Sequence, residues 1–374
     1  MMKRQCWGRS LNCHRHHYSQ CSTVTSICLH VDCCGSFYYG WDGESEDEDQ
    51  LISDVLNGQR NPCDFNETPD LSIGRSQDIQ VKHSVCYIVA GLLFRASSSS
   101  SVAGQAPVLE ILLIQEAKDS CRGLWYLPAG RLEPGESLAD GVKREVAEEA
   151  GYVCRVSQLV HVDTGGGGWF KFSFLCHVTG GSLKGDADEE SLQAQWFLLS
   201  DVTEKKIPIR QACAGSERYV LHQQTAQSPN ACHIRVMETP VRSMFISLLV
   251  VQKKADKMEI LLRRENHSSG CFLPTVEYPL TAILPALVCK FFKELVQGGS
   301  SVLSLPFRCV GVSCFPVPAF EHDGLSLTLL CEAKPKMNPQ LIRPRQHYWH
   351  TVQSSRVRQL LQNAIDFGPS LSFG

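Results

Sequence analysis

Residues Gly130 to Tyr152 read GRLEPGESLADGVKREVAEEAGY. The stretch divides into a turn, a helix and a stop. Pro134-Gly135 marks the turn. Ser137, followed by Asp140, forms a capping box. Leu138, Val142 and Val146 recur every four residues and predict a buried stripe, and Gly151 supplies the C-terminal stop. Glu145, Glu148 and Glu149 stand at i, i+3 and i+4, on one side of that helix and close enough to repel. At ~100° per residue, Glu149 falls inside the apolar stripe and the other two fall beside it. A solvated acidic face would lie opposite the stripe. Like charges crowded there ask for a cation, and oxygen-only ligands suit Mg²⁺ or Mn²⁺ rather than zinc. Mg²⁺ usually binds one or two carboxylates plus substrate phosphates. The chemistry is that of a divalent-metal site for a phosphorylated ligand.

The stretch resembles the Nudix box, G-x5-E-x7-R-E-U-x-E-E-x-G-U, where U is a large aliphatic residue. Gly130, Glu136, Arg144, Glu145, Val146, Glu148, Glu149 and Gly151 match in place, and Tyr152 departs at the last aliphatic position. The resemblance extends through LLIQEAKDSCRGLWYLPAGRLEPGES at Leu112–Ser137 and ESLQAQWF at Glu190–Phe197. Those segments are similar to Nudix enzymes that hydrolyse 8-oxo-guanine nucleoside diphosphates. The likeness is good from Leu51 to Phe197 and loose elsewhere.

Hydrolysis of a phosphate anhydride needs neutralised phosphate oxygens and an oriented water. Held cations supply the first and lower the pKa of a bound water for the second. Glu145, Glu148 and Glu149 are the expected metal ligands, and the resemblance adds the Gly130 carbonyl. Arg144 should pair with the carboxylates and orient them, with Glu136 in the same network. Glu149 and Glu190 are both candidates for the general base. The resemblance places Leu112 at the base pocket, its backbone against the nucleotide. Trp169 and Phe172 could stack on a purine, although strand aromatics such as Phe172 are usually core. The expected products are a nucleoside monophosphate and phosphate, from oxidised purine diphosphates. A nucleotide sugar, a dinucleotide or a triphosphate remains open as substrate, as does a non-catalytic nucleotide-binding scaffold.

The chain has 374 residues and a net charge of −3, enough for about two domains and with no electrostatic footprint for a nucleic-acid polymer. Its 18 cysteines mostly sit singly in apolar runs after Cys63, as buried hydrophobes in a reducing compartment. No stretch approaches the ~20 apolar residues of a membrane span. The expected protein is intracellular and cytoplasmic, with a small nucleotide as partner.

Residues 1–78 read as a mostly disordered leader, rich in Cys and His and then acidic. Glu44–Asp49 is expected to be a solvated linker and Leu51–Leu56 a short helix. Strands are expected at Val85–Phe94, Val108–Ile114, Trp125–Ala129, His161–Asp163, Trp169–His177 and Gln195–Leu199, with a turn at Gly165–Gly168. Residues 79–225 would form the catalytic domain, an α/β (α+β) sandwich with its mixed sheet between helices, as in the Nudix fold.

Residues 236–374 carry a weaker copy. EILLRRE at 259–265 echoes EILLIQE at 110–116, GCFLP at 270–274 echoes GLWYLP at 123–128, and Tyr348-Trp349 echoes Gln195-Trp196. Glu294 aligns with Glu145, but Gln297 and Gly298 stand where Glu148 and Glu149 would be. A degenerate Nudix-like domain without metal chemistry is expected, packed against the first domain or a partner.

Overall fold

In the computed structural model, residues 28–31, 37–40, 48–65, 69–70, 79–97, 108–210, 234–264, 271–298, 303–304, 307–314, 323–334, 340–369 and 371–373 are described. The chain divides into two units at Ser45 and Glu46. Of the first unit, the described part is an antiparallel hairpin, β1 (Cys28–Val31) with β2 (Phe37–Gly40). The Cys/His cluster noted in the sequence falls largely outside the described residues. Everything below concerns the second unit.

The described strands of that unit form two eight-stranded mixed sheets. The first holds β3 (Cys86–Ala96), β4 (Leu109–Glu116), β5 (Trp125–Tyr126), β6 (Ala129–Arg131), β7 (Tyr152–Gly166), β8 (Trp169–Gly181) and β9 (Ser191–Leu198). The apolar run of β3 makes it central: β8 lies parallel along one side, while β6 and then β4 run antiparallel along the other. Helix α2 (Leu138–Ala150) packs its Val142 and Val146 stripe over Gly91 of β3, and α3 (Leu199–Thr203) follows β9. Two separate strands were expected at 161–163 and 169–177. Instead β7 and β8 form one long ribbon, because register shifts along β7 absorb the breaks in its alternation. Its turn uses Gly166, Gly167 and Gly168, all at positive φ. A side chain at Gly168 would meet the Ser84 carbonyl at 2.9 Å.

The second sheet repeats these pairings. It contains β10 (Arg235–Met237), β11 (Met244–Lys254), β12 (Lys257–Arg264), β13 (Cys271–Phe272), β14 (Thr275–Glu277), β15 (Arg308–Ser313), β16 (Leu325–Glu332) and β17 (His347–Thr351). β11 pairs parallel with β16 and antiparallel with β14 and β12, as β3 does with β8, β6 and β4. β12 pairs antiparallel with β13 and β17, as β4 does with β5 and β9. Each edge ends on a parallel strand: β10 on β15, and β18 (Ser372–Phe373) on β7. Helix α4 (Leu284–Leu295) follows β14, where α2 follows β6. A strand–loop–helix therefore stands where the weaker copy was expected.

The two sheets share one hydrophobic core. Tyr87 of β3 donates to the Asp323 carbonyl at 2.8 Å, and Phe170 meets Tyr278 edge-on with ring centroids 5.9 Å apart. Such buried aromatic pairs are worth ~1 kcal/mol beyond their burial. The two sheets thus pack against each other.

The leader needs correction. Residues Glu48–Asn57 form helix α1, whose Leu51, Ile52, Val55 and Leu56 join a core with α5 (Ser355–Phe367) and the second sheet. Asp49 is not in a solvated linker. Its carboxylate accepts from the Gln353 N–H at 2.9 Å just before α5 and bonds His350 Nε2 at 2.7 Å. The apolar stripe of α1 needs a partner, and the second sheet is that partner. Cys63, Cys154, Cys176, Cys309, Cys314 and Cys331 are buried thiols. Among the described residues no helix is long and apolar enough to cross a membrane.

Candidate functional site

Helix α2 is fixed at both ends by its own sequence. Ser137 Oγ accepts from the Asp140 N–H at 3.0 Å, and Gly151 closes the helix at φ 79°. The helix therefore presents Glu145 and Glu149 toward β6, and both are buried. Glu149 is 1% exposed, and its Oε2 accepts from the Ala129 N–H at 2.8 Å. Burial, aided by the charge of Glu145, outweighs that hydrogen bond and pushes Glu149 up to about 8. Burial also raises Glu145, against the pull of Arg144.

Arg144 sits among the acids. Its Nε and Nη2 take the two oxygens of Glu136, each at 2.9 Å. Nη1 reaches Glu145 at 2.7 Å and Glu148 at 3.1 Å, and Nη2 also reaches the Arg131 carbonyl at 3.1 Å. These carboxylates raise the guanidinium, so it stays charged. Glu148 is the outermost of the three helix acids, its side chain 45% exposed. At Gly130 an added Cβ would overlap the Glu145 carboxylate, so only glycine leaves that space open.

Among the described residues, no three acidic, His or Cys side chains converge in the geometry of a ready-made ion site. Arg144 draws Glu145 and Glu148 to itself, and Glu149 is turned onto Ala129. The donors nevertheless suit a hard cation: they are oxygens, two of them are buried, and Gly130 leaves space beside the Glu145 carboxylate.

Other expected residues are placed less centrally. Glu190 is exposed, its N–H bonded to Asp188 at 2.9 Å. Its neighbour Ser191 donates to the Glu149 carbonyl at 2.7 Å, which ties the start of β9 to the end of α2. The Leu112 side chain is fully buried opposite Trp196. Phe172 is core, packed on Tyr87 and Phe170. Trp169 is half-buried at the start of β8.

Sequence reasoning missed Glu116, a buried acid on β4 that pairs with Arg210 Nη1 at 2.7 Å and whose Oε2 has no hydrogen-bond partner among the described residues. Its one available signal was an acid closing an apolar strand. Lys184 was also missed. It donates to the Glu148 carbonyl at 2.9 Å, a cation against the C-terminal end of α2.

In the second copy the site is closed. Helix α4 stops at Leu295, aligned with Val146, so Gln297 and Gly298 lie beyond the helix. Glu294 is exposed. The Thr275 N–H, equivalent to that of Ala129, is instead met by Asp70 at 2.8 Å. Val276 stands in the register position of Gly130.

The NUDIX domain family model matches residues 102–214. A Caenorhabditis elegans protein named for the nudix hydrolases is 31% identical over 341 residues, covering 86% of this chain and 90% of that one. The chain belongs to the Nudix family. It is a hydrolase by that membership, and the carboxylates of α2 are its Nudix box. The human protein named 8-oxo-dGDP phosphatase NUDT18 is 45% identical over 121 residues, covering 32% of this chain and 34% of that protein. Its Danio rerio counterpart is 38% identical over 159 residues, 42% and 43% of the two chains. The chain thus aligns with well under half the length of these phosphatases.

Proposed function

We propose that this Nudix hydrolase cleaves the phosphate anhydride of oxidised purine nucleoside diphosphates, of the 8-oxo-dGDP or 8-oxo-GDP class, to monophosphate and phosphate. The observation that carries the proposal is the set Glu145, Glu148 and Glu149 on α2, two of them buried and raised by burial. The similarity to proteins named 8-oxo-dGDP phosphatase supports the substrate class.

Glu145, Glu148, Glu149 and the Gly130 carbonyl would hold Mg²⁺ or Mn²⁺, which when bound neutralises phosphate charge and acidifies a water. Arg144 keeps Glu145 and Glu148 aligned from one side, leaving their remaining oxygens directed away from it. Glu149 is the better-placed proton acceptor, because its raised affinity brings it near neutral pH, where a base works best. Glu190 is the alternative base, exposed and next to Ser191 in the chain. Phosphate release should be measured with Mg²⁺ from 8-oxo-dGDP, dGDP, ADP, triphosphates and nucleotide sugars. Turnover led by 8-oxo-dGDP is expected. Preference for a sugar diphosphate would redirect the substrate class, and binding without release from any substrate would overturn the proposed reaction.

A pH dependence follows from Glu149. Its folded-state affinity for a proton is raised to about 8, so ionising it burdens the metal-free fold increasingly from the ordinary carboxylate range up to that value. Metal binding needs the ionised form. Mn²⁺ affinity should therefore strengthen by up to about tenfold per pH unit below that value and level off above it. Titrations from pH 6 to 9 would show this, and Glu149→Gln should flatten the curve.

A further inference from the structure

The two sheets leave a cleft that the hydrolytic chemistry does not use. Leu159 of β7 and Ile234, just before β10, form an isolated antiparallel bridge. Beyond it the two strands do not pair, and a cavity of about 610 Å³ lies between them. Among the described residues, the outer edge of β7 otherwise meets only β18, at Asp163 and Thr164. β10 has β15 on one side and only that bridge on the other. The volume is that of a binding cleft, and such clefts favour junctions between units of a fold.

Its walls are strand edges and not strand faces. Arg155, Val156, Ser157 and Gln158 line it consecutively, and so do Ile234, Arg235 and Val236 on the far side. Successive side chains of a strand alternate between faces, so consecutive lining residues mean that the backbone edge itself borders the space. An open edge carries N–H and C=O groups that template a further strand. The four residues of β7 offer about 13 Å of edge. The floor is apolar, made by the buried side chains of Leu138, Leu159 and Phe174.

The rim is cationic. Arg155 and Arg235 are exposed, and neither side chain has an ionic partner among the described residues. The Arg235 stem lies along Gly58, just after α1, where an added Cβ would meet it at 2.8 Å. Lys143 also lines the cavity, its ammonium on Asp140 at 2.9 Å. Glu238 is the single acid among the described residues that line it. Charges placed on an edge repel a second copy brought edge to edge, so the cleft suits a different chain of opposite charge.

We propose that this cleft binds an extended acidic peptide of another protein, laid in as a strand between β7 and β10. Main-chain hydrogen bonds to the two edges supply the affinity. Alternate apolar side chains enter the floor, and the acidic ones between them pair with Arg155 and Arg235 across the strands. The glutamates of the Nudix box take no part, so peptide binding is independent of the substrate class.

Random octapeptides should be displayed, selected on the full chain and measured by fluorescence anisotropy. The selected sequences should alternate acidic with apolar residues. Combining Arg155→Glu with Arg235→Glu should weaken them by about tenfold or more, while phosphate release and the melting curve stay as in wild type, because both side chains are exposed and lie outside the Nudix box. Methylating the backbone nitrogens of a selected peptide should abolish its binding. A selection without acidic alternation, or peptides that bind the double variant equally well, overturns the proposal. Methylated peptides that still bind, and are displaced by millimolar inorganic phosphate, overturn it in favour of a plain anion pocket. A wild-type dimer that the double variant dissolves, seen by sedimentation, overturns it in favour of a second copy.

Discussion

Glu148→Gln should reduce metal-dependent hydrolysis by about a thousandfold or more while leaving the fold intact, since a bound cation contributes several kcal/mol of transition-state charge stabilisation. Glu148 is suited to separate catalysis from stability. Its side chain is 45% exposed, and its one contact to Arg144 is long at 3.1 Å. An ion pair of that kind contributes ~0–1 kcal/mol, so the melting curve should barely move. Glu149→Gln is a less clean probe, because that carboxylate is buried and its proton affinity is already raised. Glu190→Gln completes the set. Glu190 is exposed and lies outside the Arg144 network, so a loss comparable with that of Glu149→Gln would make it the base. Turnover of Glu148→Gln restored at saturating Mn²⁺ would remove Glu148 from the ligand set.

The parts of the site legible in the sequence are the local ones. Turn, cap, apolar stripe and glycine stop all lie within Gly130–Gly151, and each acts on residues no more than one helical turn away, so together they determine which way Glu145 and Glu149 point. The placement of Glu149 inside the stripe anticipated its burial. What stayed hidden depends on distant chain. Glu116 and Arg210 are 94 residues apart, and nothing in either segment names the other. The helix at Glu48–Asn57 is amphipathic in its own right, but its partners Leu249, Val251 and Leu361 lie far along the sequence. A short acidic segment with no visible partner reads as solvated. The cleft between β7 and β10 was equally hidden, since its two edges meet only through the fold, at Leu159 and Ile234.

The same long-range logic makes Asp70→Ala the substitution with the largest expected effect on stability. Asp70 enters the closed site of the second copy from outside its sheet. Its Oδ2 accepts from the Thr275 N–H at 2.8 Å, its Oδ1 bonds His347 Nε2 at 2.8 Å, and Arg263 Nε lies 3.6 Å away. His347 is fully buried, and its Nδ1 has no partner among the described residues. In the first copy the equivalent register positions hold Ile114 and Ala194, which need no charge. Arg263 and His347 thus stand where the first sheet has apolar residues, and the Asp70 carboxylate meets them where a helix glutamate is missing. Removing it strands the Thr275 N–H and the imidazole at once and takes a carboxylate from beside Arg263. Deleting one partner of a buried charged pair costs about 3–5 kcal/mol, which for a chain of this size lowers Tm by roughly 4–7 °C. Calorimetry on the full chain would read this shift. Below the new transition, turnover should persist, because Asp70 touches the second copy and not the glutamates of α2. A melting point within a degree or two of wild type would mean that the leader rests on the second copy without bracing it.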